Sequence, residues 1–158
     1  MAAFGALVAV VVALTVVLVS SGDAREYRVM FENAAIGIAL VGMDRRPLEA
    51  NAALIKMTGY EPQEFFQMSG FELSYPEDAE IGISELKDVS EGKLDSYQIE
   101  KRYVRKGGEI YWVRLTNSVV RAPDGTPQYF VTMIEDINQQ KHAAEELRKS
   151  QARFQAIF

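Results

Sequence analysis

The chain has 158 residues, of which 48% are hydrophobic, and its 22 acidic residues outnumber 17 Lys and Arg residues to give a net charge of −5. This length fits one domain of ordinary size with short additions. The acidic balance argues against a nucleic-acid partner, because phosphate binding needs a clustered basic face. The absence of cysteine excludes disulfides, thiolate metal sites and cysteine chemistry.

The N-terminal segment, residues 1–22, contains no charged side chain. About 20 apolar helical residues at about 1.5 Å each cross a hydrocarbon core of about 30 Å, so the segment predicts a transmembrane helix. Arg25 and Arg28 follow it directly and place the next domain in the cytoplasm. A signal peptide cleaved near Ser20-Ser21-Gly22 and a buried soluble helix are the alternatives, although a signal would carry Lys or Arg ahead of its apolar core.

The first half of the following domain shows short elements with clear start and stop signals. Apolar residues at helical spacing predict an amphipathic helix over residues 24–34, and residues 36–41 and 47–50 predict two strands around a turn. Asn51 is placed to cap a helix that Gly59 ends, with a ligand contact as its alternative role. Short helices begin at Pro62 and Pro76, and a longer helix is predicted over residues 79–91, although Gly82 is unfavourable inside it.

The second half of the domain predicts three strands, over residues 94–106, 109–121 and 126–135. Glycine-containing turns at Gly107-Gly108 and Asp124-Gly125 join them. In the middle strand, the alternate residues that include Val113 and Leu115 are predicted to face the core. Asn117 belongs to the same alternate positions and is the one polar residue among them. Its amide must be satisfied by backbone, water or a ligand. Lys101 falls on the more apolar face of the first of these strands.

The C-terminal segment, residues 139–158, has helix-forming composition without Gly or Pro. Its apolar residues follow steps of three and four, which is typical of a coiled coil or linker helix that pairs two copies as a homodimer. The alternative is a helix folded back on its own domain. The residues in the apolar pattern are Ile137, just before this segment, and Ala144, Leu147, Phe154 and Phe158 within it.

No set of residues in the sequence predicts catalysis. The single histidine, His142, lies on the polar stretch of the terminal helix and is a poor candidate for heme or metal ligation. No serine stands in a nucleophile elbow, and Gly107-Gly108 lacks the Lys and Ser/Thr of a phosphate loop. Glu77 and Asp78 fit a helix start better than an acid/base pair. We therefore predict that the chain is not an enzyme and holds no metal.

Nine short motifs, in their order and spacing, make residues 24–138 resemble a PAS domain with its PAC motif, the sensory module of bacterial signalling proteins. This resemblance implies an α+β fold, with a five-stranded antiparallel sheet in the order 2-1-5-4-3 and short helices on one face. The PAS domain would span residues 23–138, between an N-terminal apolar helix and a C-terminal linker helix. The motifs are Phe31-Glu32-Asn33-Ala34, Ile36-Gly37-Ile38, Asn51-Ala52-Ala53-Leu54, Thr58-Gly59-Tyr60, Pro76-Glu77-Asp78, Arg105-Lys106-Gly107-Gly108-Glu109, Tyr111-Trp112-Val113, Asp124-Gly125 and Asp136-Ile137-Asn138.

The resemblance places any ligand between the long helix and the sheet. The alternative is that the same side chains simply fill this space. Flavin-binding light sensors of the family need a reactive cysteine, and this chain has none. Heme-binding members use a histidine on the long helix before the third strand, and residues 79–91, which are predicted to form that helix, contain no histidine. No cofactor is therefore expected, and the ligand is left open. The candidate pocket residues are Leu54, Met57, Phe71, Ile83, Leu86, Leu115, Asn117 and Met133.

By the same resemblance, Asp136 would tie the last strand to the neighbouring hairpin and couple the sheet to the C-terminal helix. Trp112, Ile137 and Asn138 would share this role, with Asn138 in place of the usual threonine. The implied function is a sensory or relay module of a protein of the bacterial inner membrane, either a sensor histidine kinase or a cyclic-dinucleotide enzyme. A ligand-free dimerisation scaffold is the alternative. Residues 150–158 resemble the first helix of a further PAS domain, which predicts a downstream output domain.

Overall fold

A five-stranded antiparallel sheet with the strand order β2-β1-β5-β4-β3 lies at the centre of the computed structural model, which describes residues 24–157. This topology confirms the predicted fold class. The predicted transmembrane helix over residues 1–22 lies outside the described residues. Within them, no helix has the length and apolarity that a membrane span requires. The strands are β1 (Gly37–Gly42), β2 (Pro47–Ala50), β3 (Ser96–Val104), β4 (Ile110–Arg121) and β5 (Pro127–Asp136).

Short helices fill the long connection between β2 and β3, and together with one face of the sheet they enclose the hydrophobic core. Core residues on this face of β4 are Tyr111, Val113 and Leu115, as the alternation of the strand predicts. The helices are α1 (Ala24–Asn33), α2 (Ala52–Thr58), α3 (Pro62–Phe65), α4 (Gly70–Leu73), a 3₁₀ turn (Pro76–Asp78), α5 (Ile83–Ser90) and α6 (Asn138–Ile157).

Asn51 is fully buried and joins three elements of the domain. Its Oδ1 accepts hydrogen bonds from the backbone N–H of Leu54 at 3.1 Å, as an N-cap, and of Ile38 at 2.9 Å. Its Nδ2 donates to the backbone carbonyls of Phe31 at 2.9 Å and Ile36 at 3.0 Å. The amide is therefore occupied within the fold, and the capping role predicted for Asn51 is confirmed.

The helix predicted over residues 79–91 is shorter, because α5 begins only at Ile83. Gly82 precedes it with a φ of 91°, a left-handed conformation that glycine adopts without a steric penalty. A Cβ atom at Gly82 would lie 2.5 Å from Cδ1 of Ile99 on β3. Gly82 therefore ends the preceding turn and lets the chain pass close to the sheet.

The C-terminal helix α6 follows β5 after the single residue Ile137, which is 1% exposed. Ile137 donates its backbone N–H to the carbonyl of Trp112 at 3.0 Å, which fixes the start of the helix against β4. Residues 142–157 are exposed, so α6 does not fold back over the domain. Its apolar side chains Leu147, Phe154 and Ile157 face outward.

Candidate functional site

A cavity of about 380 Å³ lies between the sheet and the helices α2, α4 and α5. This volume falls within the range of about 300–1,000 Å³ that small-molecule pockets occupy. The lining is largely apolar, and its polar side chains include Tyr97, Lys101, Asn117 and Thr132. The cavity thus has the character of a pocket for a mainly apolar small molecule.

Six of the eight predicted pocket residues line this cavity, but Met57 and Met133 do not. Thr132 and Ile134 both line the cavity, so Met133 between them points to the other face of β5. Met57 lies in the last turn of α2 and packs against the core cluster beside the cavity. The six residues that do line it are Leu54, Phe71, Ile83, Leu86, Leu115 and Asn117.

Asn117 is the centre of a buried row of polar groups across three strands. It pairs in register with Tyr97 on β3 and with Thr132 on β5. Its Nδ2 donates to the Tyr97 hydroxyl at 2.7 Å, and its Oδ1 accepts a hydrogen bond from the Thr132 hydroxyl. Burial raises the pKa of Tyr97 to about 12, although the hydrogen bond from Asn117 opposes this, so the phenol is neutral at physiological pH. The Asn117 amide is therefore satisfied by the protein on both sides.

Among the described residues that line the cavity, Lys101 is the one lysine, and it is only 7% exposed. Its Nζ donates to the backbone carbonyl of Ile81 at 3.4 Å and lies 5.8 Å from the ring centroid of Tyr103. None of the ion pairs in the described part of the chain includes Lys101. Burial lowers the pKa of the Lys101 ammonium, while the nearby carboxylate of Asp78 acts in the opposite direction. The sequence pattern placed Lys101 on the apolar face but predicted no role for it.

The buried carboxylate of Asp78 is hydrogen-bonded to Arg102 through both of its oxygens. Arg102 donates to Oδ2 from its backbone N and its Nε, both at 2.8 Å, and to Oδ1 from Nη2 at 2.6 Å. These hydrogen bonds hold the pKa of Asp78 below its usual range. The pair ties the 3₁₀ turn to β3, which fits the structural role predicted for Asp78 better than acid/base chemistry.

The four residues predicted to transmit a signal meet where β4 and β5 contact the start of α6. Oδ2 of Asp136 accepts from Nη2 of Arg105 at 2.7 Å, and Oδ1 accepts from the backbone N of Asn138 at 3.0 Å. Oδ1 of Asn138 in turn accepts from the backbone N of Trp112 at 3.2 Å. With the backbone bond of Ile137 to Trp112, these contacts connect the hairpin to the first turn of α6.

Lys141 adds a second contact between α6 and the sheet. Its Nζ lies 4.8 Å from the ring centroid of Trp112 and 2.9 Å from Oε2 of Glu100 on β3. The hydrogen bond from Lys141 lowers the pKa of the Glu100 carboxyl. The first turn of α6 is therefore held to β3 and β4 by charged and aromatic groups as well as by Asp136.

Arg105, in the turn between β3 and β4, connects the cavity side of the domain to Asp136. Its guanidinium donates to the backbone carbonyl of Met57 at the end of α2, and α2 carries the cavity residue Leu54. It also donates from Nε to Glu109 at 2.9 Å and stacks 3.7 Å from the ring centroid of Tyr111. In the sequence, Arg105 is notable only as part of a motif, and nothing in the sequence indicates these partners.

The described residues contain no group of three His, Cys, Asp or Glu side chains arranged to hold a metal ion. Among the titratable groups near the cavity, Asp78 pairs with Arg102, the Tyr97 hydroxyl accepts from Asn117, and the Lys101 ammonium donates to the Ile81 carbonyl. What the geometry offers is a cavity and a series of hydrogen bonds from α2, which lines it, to the start of α6.

Comparison with known proteins gives matches to signalling proteins. A family model described as "PAS fold" matches residues 47–134. The chain is 37% identical over 119 residues to the probable diguanylate cyclase DgcE of Escherichia coli K12, an alignment that covers 75% of the chain and 11% of that protein. It is 28% identical over 135 residues to the sensor histidine kinase TmoS of Ectopseudomonas mendocina, covering 85% of the chain and 14% of that protein. The chain thus spans only a small part of the length of these relatives.

Solved structures show the same fold at low sequence identity. The crystal structure of the PAS domain of a protein from Colwellia psychrerythraea matches with a TM-score of 0.66 at 17% identity, covering 73% of this chain and 97% of that one. A PAS domain from a two-component sensor histidine kinase matches with a TM-score of 0.61, also at 17% identity, over 74% and 98% of the two chains. At such identities the likeness concerns the fold alone.

Proposed function

Since the chain belongs to the PAS family, we propose that it senses a small molecule, or relays a signal, for a larger bacterial signalling protein. The output would be that of a sensor histidine kinase or a cyclic-dinucleotide enzyme, as in the two relatives above. The observation that carries this proposal is the hydrogen-bonded connection from α2 through Arg105 and Asp136 to Asn138 at the start of α6.

The proposed mechanism begins with occupancy of the cavity. A ligand against Leu54 would displace α2, and the carbonyl of Met57 would carry this shift to Arg105. Arg105 would then move Asp136 and the first turn of α6. Helical switches of this kind exchange two packed arrangements, and a bias of a few kcal/mol between them is sufficient.

The arrangement of the whole protein is part of the proposal. Residues 1–22 would cross the bacterial inner membrane, with the PAS domain in the cytoplasm and the output domain after α6. Residues 139–158 would form a coiled coil with a second copy, giving a homodimer. The exposed apolar side chains of Leu147, Phe154 and Ile157 support this pairing, because an outward apolar stripe on a helix is the usual seam of a coiled coil.

A chimera tests the proposed relay. The chain would replace the aligned segment of the E. coli diguanylate cyclase, and cyclase activity would be measured with Asp136 intact or changed to Ala. We expect Asp136→Ala to change the activity by about fivefold or more, since a coupling of about 1 kcal/mol has this effect. Asp95→Ala, at an exposed position in the same domain, is the matched control. Equal activity of the chimera with and without Asp136 would refute the relay.

A ligand-free dimerisation scaffold is the second candidate. It is favoured by Asn117, whose amide is already satisfied by Tyr97 and Thr132 without any ligand. Native mass spectrometry of the purified chain separates the two functions. A retained small molecule would support the sensor, whereas a clean chain mass in every preparation would support the scaffold.

A further inference from the structure

We propose that the cavity binds an amphipathic monocarboxylic acid, with the carboxylate paired to Lys101 and the apolar body along the sheet. This inference rests on the proposed sensory function and names the ligand class for the same cavity. It begins from Lys101, the buried cation of the cavity wall.

The ammonium of Lys101 has more hydrogen-bonding capacity than the protein uses. A lysine ammonium has three donors, and here one of them reaches the Ile81 carbonyl at the long distance of 3.4 Å. A buried charge is costly unless it is paired and hydrogen-bonded. An anionic group inside the cavity would supply the missing partner.

The nearest acidic group does not fill this role. Both carboxylate oxygens of Asp78 accept hydrogen bonds from Arg102, at 2.8 and 2.6 Å, so its charge is already balanced. Asp44 and Arg45 also line the cavity, but they lie in the turn between β1 and β2 and are exposed to solvent. Among the charged side chains of the cavity wall, Lys101 is therefore the buried cation that a ligand anion can balance.

An apolar surface separates Lys101 from the polar row around Asn117. On β3 the cavity-facing residues run from Lys101 through Ile99 to Tyr97, a distance of about 13 Å at about 3.3 Å per residue. Leu115 lies opposite Ile99 in the register, and Ile134 lies opposite Leu115. A ligand with its carboxylate on Lys101 would thus place an aliphatic chain across Ile99, Leu115 and Ile134.

The far end of the cavity offers a polar contact as well. The Tyr97 hydroxyl accepts its hydrogen bond from Asn117, so its own proton is directed elsewhere. A ligand oxygen at that end can accept it. The cavity therefore fits an aliphatic acid of medium length, with or without a second oxygen remote from the carboxylate.

Isothermal titration calorimetry on the full chain tests this assignment with two probes of equal chain length, sodium octanoate and 1-octanol. We expect octanoate to bind at least about tenfold more tightly than 1-octanol, because only the acid brings a negative charge that forms an ion pair with the Lys101 ammonium. In Lys101→Met the preference should disappear while octanol binding remains. Lys101→Arg, which keeps the charge, should retain the preference, and so should Lys56→Met at an exposed position.

Even if a variant fails to fold, the affinities of octanoate and 1-octanol for the unmodified chain still test the proposed ligand class. Equal affinity for acid and alcohol, failure of both to bind, or a preference that persists in folded Lys101→Met would overturn the assignment. The relay proposal would survive these results, because it is judged separately by the effect of Asp136→Ala on the chimera.

Discussion

Arg105 donates from Nη2 to Oδ2 of Asp136 at 2.7 Å, a contact between residues 31 positions apart in the chain. It joins the turn between β3 and β4 to the last residue of β5. Because the other oxygen of Asp136 accepts from Asn138, the same side chain also fixes the start of α6. The Asp136 carboxylate therefore contacts both the hairpin and the first turn of α6, which Lys141 also holds to the sheet.

Asn51 should be among the most important polar residues for stability. Asn51→Ala removes an N-cap and leaves four backbone groups, those of Phe31, Ile36, Ile38 and Leu54, without their side-chain partner. We expect the free energy of unfolding, measured by urea denaturation, to fall by about 3 kcal/mol. The exposed Asn33→Ala, which loses one bond to Val29, is the control at about 0.5 kcal/mol. A loss below about 1 kcal/mol for Asn51→Ala would contradict this account.

The Asp78–Arg102 pair should make stability depend on pH in the acid range. The folded-state pKa of Asp78 is lowered, so its carboxylate stabilises the fold above the unfolded pKa of about 3.9. That contribution is lost as the pH falls through the folded-state pKa. Asp78→Asn should therefore be less stable than the unmodified chain at pH 7, and the gap should narrow below about pH 4.

Urea denaturation at a series of pH values measures this gap. Asp95→Asn, at an exposed position, serves as the control and should follow the unmodified chain throughout. A gap for Asp78→Asn that stays constant from neutral to acid pH would show that the carboxylate charge does not stabilise the fold.

Any side chain introduced at Gly82 should lower the stability of the fold. Gly82→Ala places a Cβ in a left-handed conformation and 2.5 Å from Cδ1 of Ile99, so we expect a loss of about 1–3 kcal/mol in the free energy of unfolding. In an Ile99→Val background, which lacks that Cδ1 atom, the loss should be smaller. Gly107→Ala, with open space around its Cβ, should cost about 0.5 kcal/mol or less. Equal losses at Gly82 and Gly107 would exclude the steric explanation.

Local signals in the sequence were sufficient to predict most elements of the fold. The cap at Asn51 and the glycine turns between the strands gave boundaries that the structure confirms. The strand order came from the resemblance to PAS domains. The start of α5 was predicted too early because a glycine within an apolar pattern does not reveal its φ, and Gly82 turns out to be left-handed.

The candidate site could be predicted only in part. Met133 was assigned to the wrong face because residues 130–134 are all buried, so alternation of polar and apolar residues could not choose a side. Lys101 was placed on the apolar face by alternation, but its lack of a counterion is a three-dimensional property. Arg105 acquires its partners Met57 and Asp136 only when distant segments pack together.

If the proposed relay is right, Asp136 sets the position of α6 relative to the domain. The chain has no cysteine, so spin labels can be attached at Gln128→Cys on β5 and Gln151→Cys on α6, both exposed positions. The labelled chain would be diluted with unlabelled chain, so that electron–electron resonance reports distances within one copy. Asp136→Ala and the control Asp95→Ala would be compared in this background.

We predict that Asp136→Ala shifts or broadens the distance distribution between the two labels, while the free energy of unfolding falls by only about 1 kcal/mol. Asp95→Ala should leave the distribution unchanged. Superimposable distributions for the chain with and without Asp136 would contradict the account, because the helix would then hold its position without the carboxylate.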